Sequence, residues 1–219
     1  TANATFEVVS PDATVTPGAV TSNKVETTVL PKPSFDITYD VPDANDISNT
    51  TKTYPNQVPG AVIVTPYNAV NNGNVDLVVA LGSDVTGSQT TAAQVKYYID
   101  PNNDGTLTTA EQVPANEITS ISLGRDNPAT VLDEGVVSFY QVVTVPTTAV
   151  PTTGQVYGAS PEGSVVGTGT TLNSDGTVTG NGLDAGITYY EPETGQTAPD
   201  DDEDGDLQFA QITLFTPSA

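Results

Sequence analysis

Residues 100–111 carry oxygen-bearing side chains in a pattern that could bind a cation. The oxygen donors are, in order, Asp100, Asn102, Asp104, Thr106, Thr108 and Glu111. They stand at positions one, three, five, seven, nine and twelve, which supply the ligands of an EF-hand-type calcium loop. Gly105 occupies the position where that loop turns sharply, and Leu107 follows as an apolar anchor. The pattern predicts calcium as a structural cofactor; the alternative is an Asp/Asn/Gly turn with accidental spacing.

A second acidic run, residues 200–206, repeats the start of this pattern. Its candidate ligands are Asp200, Asp202, Asp204 and Asp206. Its twelfth position is Gln211, so the bidentate carboxylate of a complete loop is missing. Weaker calcium binding and a solvated acidic run both remain open. The segment from Asn173 to Val178 has only half of such a loop, which favours a hairpin turn.

The residue types exclude most kinds of catalysis. The sequence contains no His, Cys, Met or Trp. Without His and Cys there is no Ser-His-Asp or Cys-His nucleophile pair and no usual set of zinc or copper ligands. A carboxylate pair for glycoside hydrolysis is possible by residue type, but nothing singles out such a pair. We therefore expect a protein that is not an enzyme.

Charge limits the partners of the chain. The 219 residues include 27 acidic and 5 basic side chains, for a net charge of −22. Nucleic acids and anionic membrane surfaces need clustered Lys or Arg, so we expect neither as a partner. No apolar run approaches the roughly 18 residues of a membrane span. The lack of oxidisable sulfur side chains indicates exposure to oxidants, and two triplets, Asn3-Ala4-Thr5 and Asn49-Thr50-Thr51, could carry glycans.

The remaining sequence predicts strands. Runs rich in Val, Ile, Thr and aromatic residues are separated by clusters of Gly, Pro, Asn and Asp. The predicted strands span residues 5–9, 24–30, 35–39, 61–66, 74–81, 94–99, 117–123, 135–145, 177–179, 187–190 and 207–215. This pattern predicts an all-β fold, an Ig-like antiparallel β-sandwich. Residues 135–145 are apolar enough for a central strand, which Pro146 ends.

Three parts are expected along the chain. They are an N-terminal extension at 1–19, the sandwich with its grafted calcium loop at 20–160, and a C-terminal β segment at 161–219 that returns to the sheet and carries the acidic loop 200–206. Two small sandwiches are an alternative at this length.

The N-terminal extension contains a candidate donor strand at residues 4–9. Phe6 and Val8 alternate with Thr5 and Glu7, and a turn-rich stretch comes next. We expect this strand to have nothing of its own to pair with, so that it completes a sheet in a neighbouring copy and builds a filament head to tail. The alternative is that it folds back as an edge strand of its own sandwich.

Turn and strand motifs recur in a characteristic order through most of the chain. They are VTSNKVETTVL (20–30), FDI (35–37), PGAVIVTPY (59–67), NGNV (72–75), YYID (97–100), DEGV (133–136), QVVTVP (141–146), GASPEG (158–163) and DLQF (206–209). This order resembles the Ig-like conserved repeat domains of large bacterial surface and S-layer-associated proteins. The resemblance implies stacked extracellular modules without catalytic residues.

Together these observations predict a structural calcium-binding subunit of an extracellular bacterial fibre or surface layer that polymerises by β-strand exchange. An extracellular adhesin or carbohydrate-binding module is the alternative.

Overall fold

The computed structural model describes residues 3–6, 18–21, 30–39, 52–102, 104–125, 135–175, 177–190 and 210–215. The strands are, in chain order, β1 Asn3–Phe6, β2 Gly18–Thr21, β3 Phe35–Tyr39, β4 Lys52–Gln57, β5 Val62–Asn71, β6 Leu77–Asp84, β7 Val95–Tyr98, β8 Glu117–Ile118, β9 Ser120–Leu123, β10 Val136–Thr144, β11 Ser160–Val166, β12 Thr171–Leu172, β13 Val178–Thr179, β14 Thr188–Tyr190 and β15 Ala210–Leu214. A short 3-10 turn at Ala92–Gln94 precedes β7. Among these residues no helix is long and apolar enough to cross a membrane.

The chain forms two compact units, Thr1–Leu30 and Pro31–Ala219. In the first unit β1 pairs antiparallel with β2, from Asn3 opposite Thr21 to Phe6 opposite Gly18. The expectation that the N-terminal strand has nothing of its own to pair with is therefore wrong. The reason is that β2, the Gly-Ala-Val-Thr segment after the turn-rich stretch, is long enough to form a ribbon with β1.

The second unit is an antiparallel β-sandwich, which confirms the predicted fold class. One sheet has the strand order β3-β5-β10-β7-β8, and the other has the order β14-β11-β6-β9. A main core of buried apolar side chains from both sheets includes Phe35, Tyr67, Val79, Phe139 and Val165. The sandwich extends beyond residue 160, because β11 and β14 belong to the second sheet.

The C-terminal strand β15 pairs parallel with β4 and so departs from the antiparallel pattern. It also contacts the chain before β11, where the Tyr157 N–H donates to the Ile212 carbonyl at 2.8 Å and the Ile212 N–H donates to the Tyr157 carbonyl at 2.7 Å. Ala210–Leu214 thus forms a separate two-stranded sheet with β4, and its Ile212 and Leu214 side chains are buried in the main core.

The predicted central strand is confirmed. β10 lies between β5 and β7, and its residues from Phe139 to Val143 are all buried. Alternate side chains point to opposite faces of a sheet. Phe139 and Val143 therefore enter the main core, whereas Tyr140 and Val142 belong to a second, smaller cluster on the other face.

Four of the described strands were not predicted: β2, β4, β11 and β12. Pro161 and Gly163 make the β11 sequence read as a turn, yet β11 pairs with β6 over five residues. Gly163 is required there by close packing between the sheets, since a Cβ atom would lie 2.4 Å from Phe35 Cε2 and 2.9 Å from Val79 Cγ1.

We expect Gly163→Ala to lower the free energy of unfolding by about 1 to 3 kcal/mol, because the added methyl group overpacks the core. The matched control is Gly82→Ala on the paired strand, where a Cβ atom would meet only the flexible Glu162 side chain, at 3.3 Å. Urea denaturation of both variants measures the difference. Equal stability of the two would contradict the packing at Gly163.

Candidate metal centre

The predicted calcium loop connects two neighbouring strands. Residues 100–111 lie between β7 and β8, which pair antiparallel with Tyr98 opposite Glu117. The Ile99 N–H donates to the Asn116 carbonyl at 3.0 Å, and Asn116 Nδ2 donates to the Glu111 carbonyl at 2.7 Å. These bonds join the start and the end of the loop. One hairpin therefore carries every described candidate ligand. Residue 103 lies outside the described residues.

The first half of the loop folds around Asp100. Its Oδ2 atom accepts the Gly105 N–H at 2.9 Å, and its Oδ1 atom accepts the Asn102 N–H at 3.2 Å. Gly105 has a φ of +82°. A Cβ atom added there would meet no atom within 4 Å. Glycine is therefore needed for its backbone conformation and not for space.

Two other carboxylates accept pairs of hydrogen bonds from threonines. Asp104 Oδ1 accepts the Thr106 N–H at 2.9 Å and the Thr106 hydroxyl at 2.6 Å. Glu111 Oε2 accepts the Thr108 N–H at 2.8 Å and the Thr108 hydroxyl at 2.6 Å. The Thr106 hydroxyl bond is the main reason that the pKa of Asp104 lies below its ordinary value.

The Asn102 amide lies between two of these carboxylates. Its Nδ2 atom donates to Asp104 Oδ2 at 3.1 Å and to Glu111 Oε1 at 2.8 Å. Its Oδ1 atom accepts the Asp104 N–H at 3.0 Å. A cation at this place needs oxygen ligands, and only the Oδ1 atom of Asn102 can provide one. Calcium binding therefore requires the Asn102 side chain to turn its NH₂ group away.

The donor types in this loop suit calcium, but they are not gathered around one point. Across the part of the chain that the structure describes, no group of three or more His, Cys, Asp or Glu side chains is arranged to hold a metal ion. All six candidate ligands of residues 100–111 nevertheless lie in the one connection between β7 and β8. The second set, Asp200, Asp202, Asp204 and Asp206, lies outside the described residues.

Leu107 anchors the loop, as its position in the sequence predicts. It is 8% exposed and packs against Tyr98, Tyr140 and Val142. This cluster lies on the face of the five-stranded sheet opposite the main core. The sequence analysis missed this second cluster, although apolar side chains at consecutive positions of β10 indicate that both faces of the strand are covered.

Asp175 and Thr177 repeat the Asp-Gly-Thr geometry elsewhere. Asp175 Oδ1 accepts the Thr177 N–H at 2.9 Å and the Thr177 hydroxyl at 2.6 Å, and the hydroxyl bond is again the main cause of a lowered pKa at Asp175. This turn joins β12 to β13, which confirms the predicted hairpin. Asp-Gly-Thr hydrogen bonding is therefore a property of the turn and does not by itself indicate a metal.

A separate polar cluster lies between the two sheets. The Tyr97 hydroxyl donates to the Gly82 carbonyl, lies 2.7 Å from the Ser83 hydroxyl and accepts Gln141 Nε2 at 3.3 Å. Burial raises the pKa of Tyr97 to about 12, so this hydroxyl stays protonated at neutral pH. Gln141 Oε1 is the one buried side-chain oxygen in the described residues without a hydrogen-bond partner.

Comparison with known proteins does not assign a family. No protein-family model and no curated protein sequence matches the chain. The fold is similar to part of a family 123 glycoside hydrolase from Clostridium perfringens, an enzyme of glycolipid glycan hydrolysis, with 13% identity and a TM-score of 0.38. The match covers 85% of this chain and 28% of that one. This likeness is too distant to support any statement about activity.

We expect Thr106→Val to raise the pKa of Asp104 toward its ordinary value, because the variant loses the hydroxyl donor. The stabilisation from this hydrogen bond is present above the ordinary pKa of 3.8 and is lost as the pH falls through the lowered value. Thr109→Val, at an exposed position of the same loop, is the control. Carboxyl NMR titration without calcium measures the pKa of Asp104 in both variants. An unchanged Asp104 pKa in Thr106→Val would contradict the assigned cause.

Proposed function

We propose that this protein is a non-enzymatic, calcium-binding structural subunit of an extracellular bacterial fibre or surface layer. The observation that carries the proposal is the hairpin connection 100–111. It has an oxygen donor at every ligand position of a calcium loop, and its two ends are tied together through Asn116. An apolar anchor, Leu107, fixes it to the sheet.

The proposed ligands are the side chains of Asp100, Asn102, Asp104 and Glu111, the Thr106 carbonyl, and Thr108 directly or through water. Calcium takes six to eight oxygen ligands, so this set is sufficient in number. The ion would add positive charge to a loop with three carboxylates and no Lys or Arg. It would also reduce self-repulsion in a chain whose net charge is −22.

We expect calcium to shift the NMR carboxyl signal of Asp104 and to leave that of Asp175 unchanged. The two residues share the same turn hydrogen bonds, so Asp175 is an internal control for effects of ionic strength. Glu111→Gln removes the twelfth ligand and should weaken binding at this site at least about tenfold. Glu117→Gln removes the same charge from the adjacent strand and should leave calcium binding at this site unchanged.

Calorimetry of the Glu111→Gln protein separates this site from the acidic run 200–206, because any binding that remains belongs elsewhere. An Asp104 signal that does not respond at saturating calcium would rule out the site. Bound calcium should also raise stability, by about 2.7 kcal/mol at a free concentration one hundred times the Kd. An unchanged melting temperature in excess chelator would show that the ion is not structural.

The assembly part of the proposal rests on the N-terminal unit. The ribbon of β1 and β2 has two strands, and an isolated two-stranded hairpin is at best marginally stable in water. Adding one of its edges to the sheet of a neighbouring copy would satisfy its backbone groups, which is β-strand addition between subunits. Contacts of this head-to-tail kind produce filaments.

The alternative of a carbohydrate-binding module is less well supported. An open groove of about 470 Å³ lies on the four-stranded sheet, beside Val78, Val166 and Asn181. Its described lining contains no aromatic side chain. Asn181 Oδ1 accepts the Thr168 N–H at 2.9 Å, and Asn181 Nδ2 donates to the Val166 carbonyl at 3.0 Å, so its polar atoms are already engaged within the fold.

We expect deletion of residues 1–30, the first compact unit, to abolish assembly. Electron microscopy and light scattering in calcium and in chelator compare the deleted and the full chain. Retained calcium binding and an intact thermal transition in the deleted protein are the control for folding of the sandwich. Assembly that survives the deletion would rule out the N-terminal unit as the connecting element.

A further inference from the structure

Three segments of the chain meet at one end of the five-stranded sheet. The turn that leads into β5 is joined to the residue after β10, since the Gly60 N–H donates to the Val145 carbonyl at 3.2 Å. β15 reaches the same end, because the Phe215 N–H donates to the Gln57 carbonyl at 2.8 Å. This end is formed by residues 57–62, 145–151 and 214–215, and we call it the uncharged end.

The uncharged end exposes apolar side chains and has no charged ones. The three stretches of sequence that form it, 53–75, 135–161 and 207–219, contain no Asp, Glu, Lys or Arg. Its exposed apolar residues are Val150 at 70%, Val58 at 60%, Phe215 at 54% and Val62 at 50%. On β7, Lys96 is paired with Glu117 at 2.6 Å, so these two neighbours add no net charge.

The sandwich begins at its opposite end. Pro31 is the first residue of the second unit. The next residue is tied to the turn after β5, because the Lys32 N–H donates to Asn74 Oδ1 at 2.6 Å. β5 runs from the uncharged end at Val62 to this turn at Asn71, a distance of about 30 Å. The N-terminal unit is therefore joined to the sandwich at the end away from the uncharged end.

We propose that the uncharged end receives the N-terminal unit of the next copy, so that subunits join head to tail. The proposal rests on the assembly proposed above and names its acceptor surface. Copies with a net charge of −22 repel one another. Contact is favoured where no carboxylate has to leave water, which is why interface cores are depleted of charged residues.

The direction of this contact suits a filament. Donor and acceptor lie at different ends, so each added copy offers a new acceptor and the assembly does not close. The two-stranded ribbon of β1 and β2 needs further contacts to be stable in water, and the exposed valines and Phe215 would supply apolar ones. Pro59, Pro146 and Pro151 restrict the backbone beside these valines, which reduces the entropy lost on binding.

A charge introduced at the uncharged end tests the acceptor. Val150→Glu should raise the concentration at which full chains assemble at least about tenfold, because the contact would bury an unpaired carboxylate. Val166→Glu adds the same charge at a 53% exposed valine of the four-stranded sheet and should leave this concentration unchanged. Light scattering and electron microscopy measure assembly, and the thermal transition of each variant is the control for folding.

The outcomes separate the acceptor from the assembly itself. Normal assembly of Val150→Glu would overturn the acceptor, and so would an equal effect of both variants, since net charge alone would then explain it. The N-terminal unit remains the connecting element in both cases if deletion of residues 1–30 abolishes assembly. Assembly that survives this deletion would overturn the connecting element and the acceptor together.

Cross-linking identifies the occupant of the uncharged end. The chain has no Cys, so Val150→Cys places a benzophenone maleimide at a single position. In a mixture of isotope-labelled and unlabelled copies, mass spectrometry distinguishes cross-links between copies from those within one. We expect cross-links from position 150 to residues 1–30 of another copy, and none to that unit from Val166→Cys. Cross-links chiefly between two uncharged ends would overturn the proposal, and so would the absence of any cross-link between copies.

Discussion

The burial of β10 on both faces is the constraint on which the rest of the sandwich depends. Its inner side chains, Phe139 and Val143, join the two sheets in the main core, and its outer side chains, Tyr140 and Val142, need a second cover. The four-stranded sheet lies on the inner face only. The outer cover comes from the connection between β7 and β8, whose Leu107 belongs to the second cluster. The same connection therefore completes the burial of the central strand and carries the candidate ligands.

These two roles meet in one short segment. Burial of Leu107 favours the folded loop, since removing an apolar side chain from water stabilises it by about 1.5 to 3 kcal/mol. The three carboxylates of the loop each accept hydrogen bonds from the loop itself: Asp100 from Gly105, Asp104 from Thr106 and Glu111 from Thr108. The bond from the Thr106 hydroxyl lowers the pKa of Asp104, so the folded loop stabilises this carboxylate in its charged form.

The sequence predicted features that depend on local patterns and missed those that depend on distant contacts. Alternation and turn residues located the central strand and the hairpin at 173–178, and loop spacing located the anchor Leu107. The strand β11 was missed because Pro161 and Gly163 read as a turn, whereas Gly163 is fixed by Phe35, far away in the chain. The pairing of β1 with β2 was missed for a similar reason, since a short Gly-Ala-Val-Thr segment acquires strand geometry from its partner. The spacing of residues 100–111 does not indicate that Asn116 joins the two ends of the loop.

The two Asp-Gly-Thr turns share their hydrogen bonds but not their surroundings. Asp104 and Asp175 accept the same two hydrogen bonds and have pKa values shifted in the same direction for the same reason, but the chain takes a different course after each of them. After Asp175 the chain enters β13 directly. After Asp104 it continues through Leu107 to Glu111, and Asn102 bridges back to the Glu111 carboxylate. The apolar anchor in the middle of the loop fixes where the twelfth residue returns. Residues outside the Asp-Gly-Thr turn therefore account for the difference between the two segments.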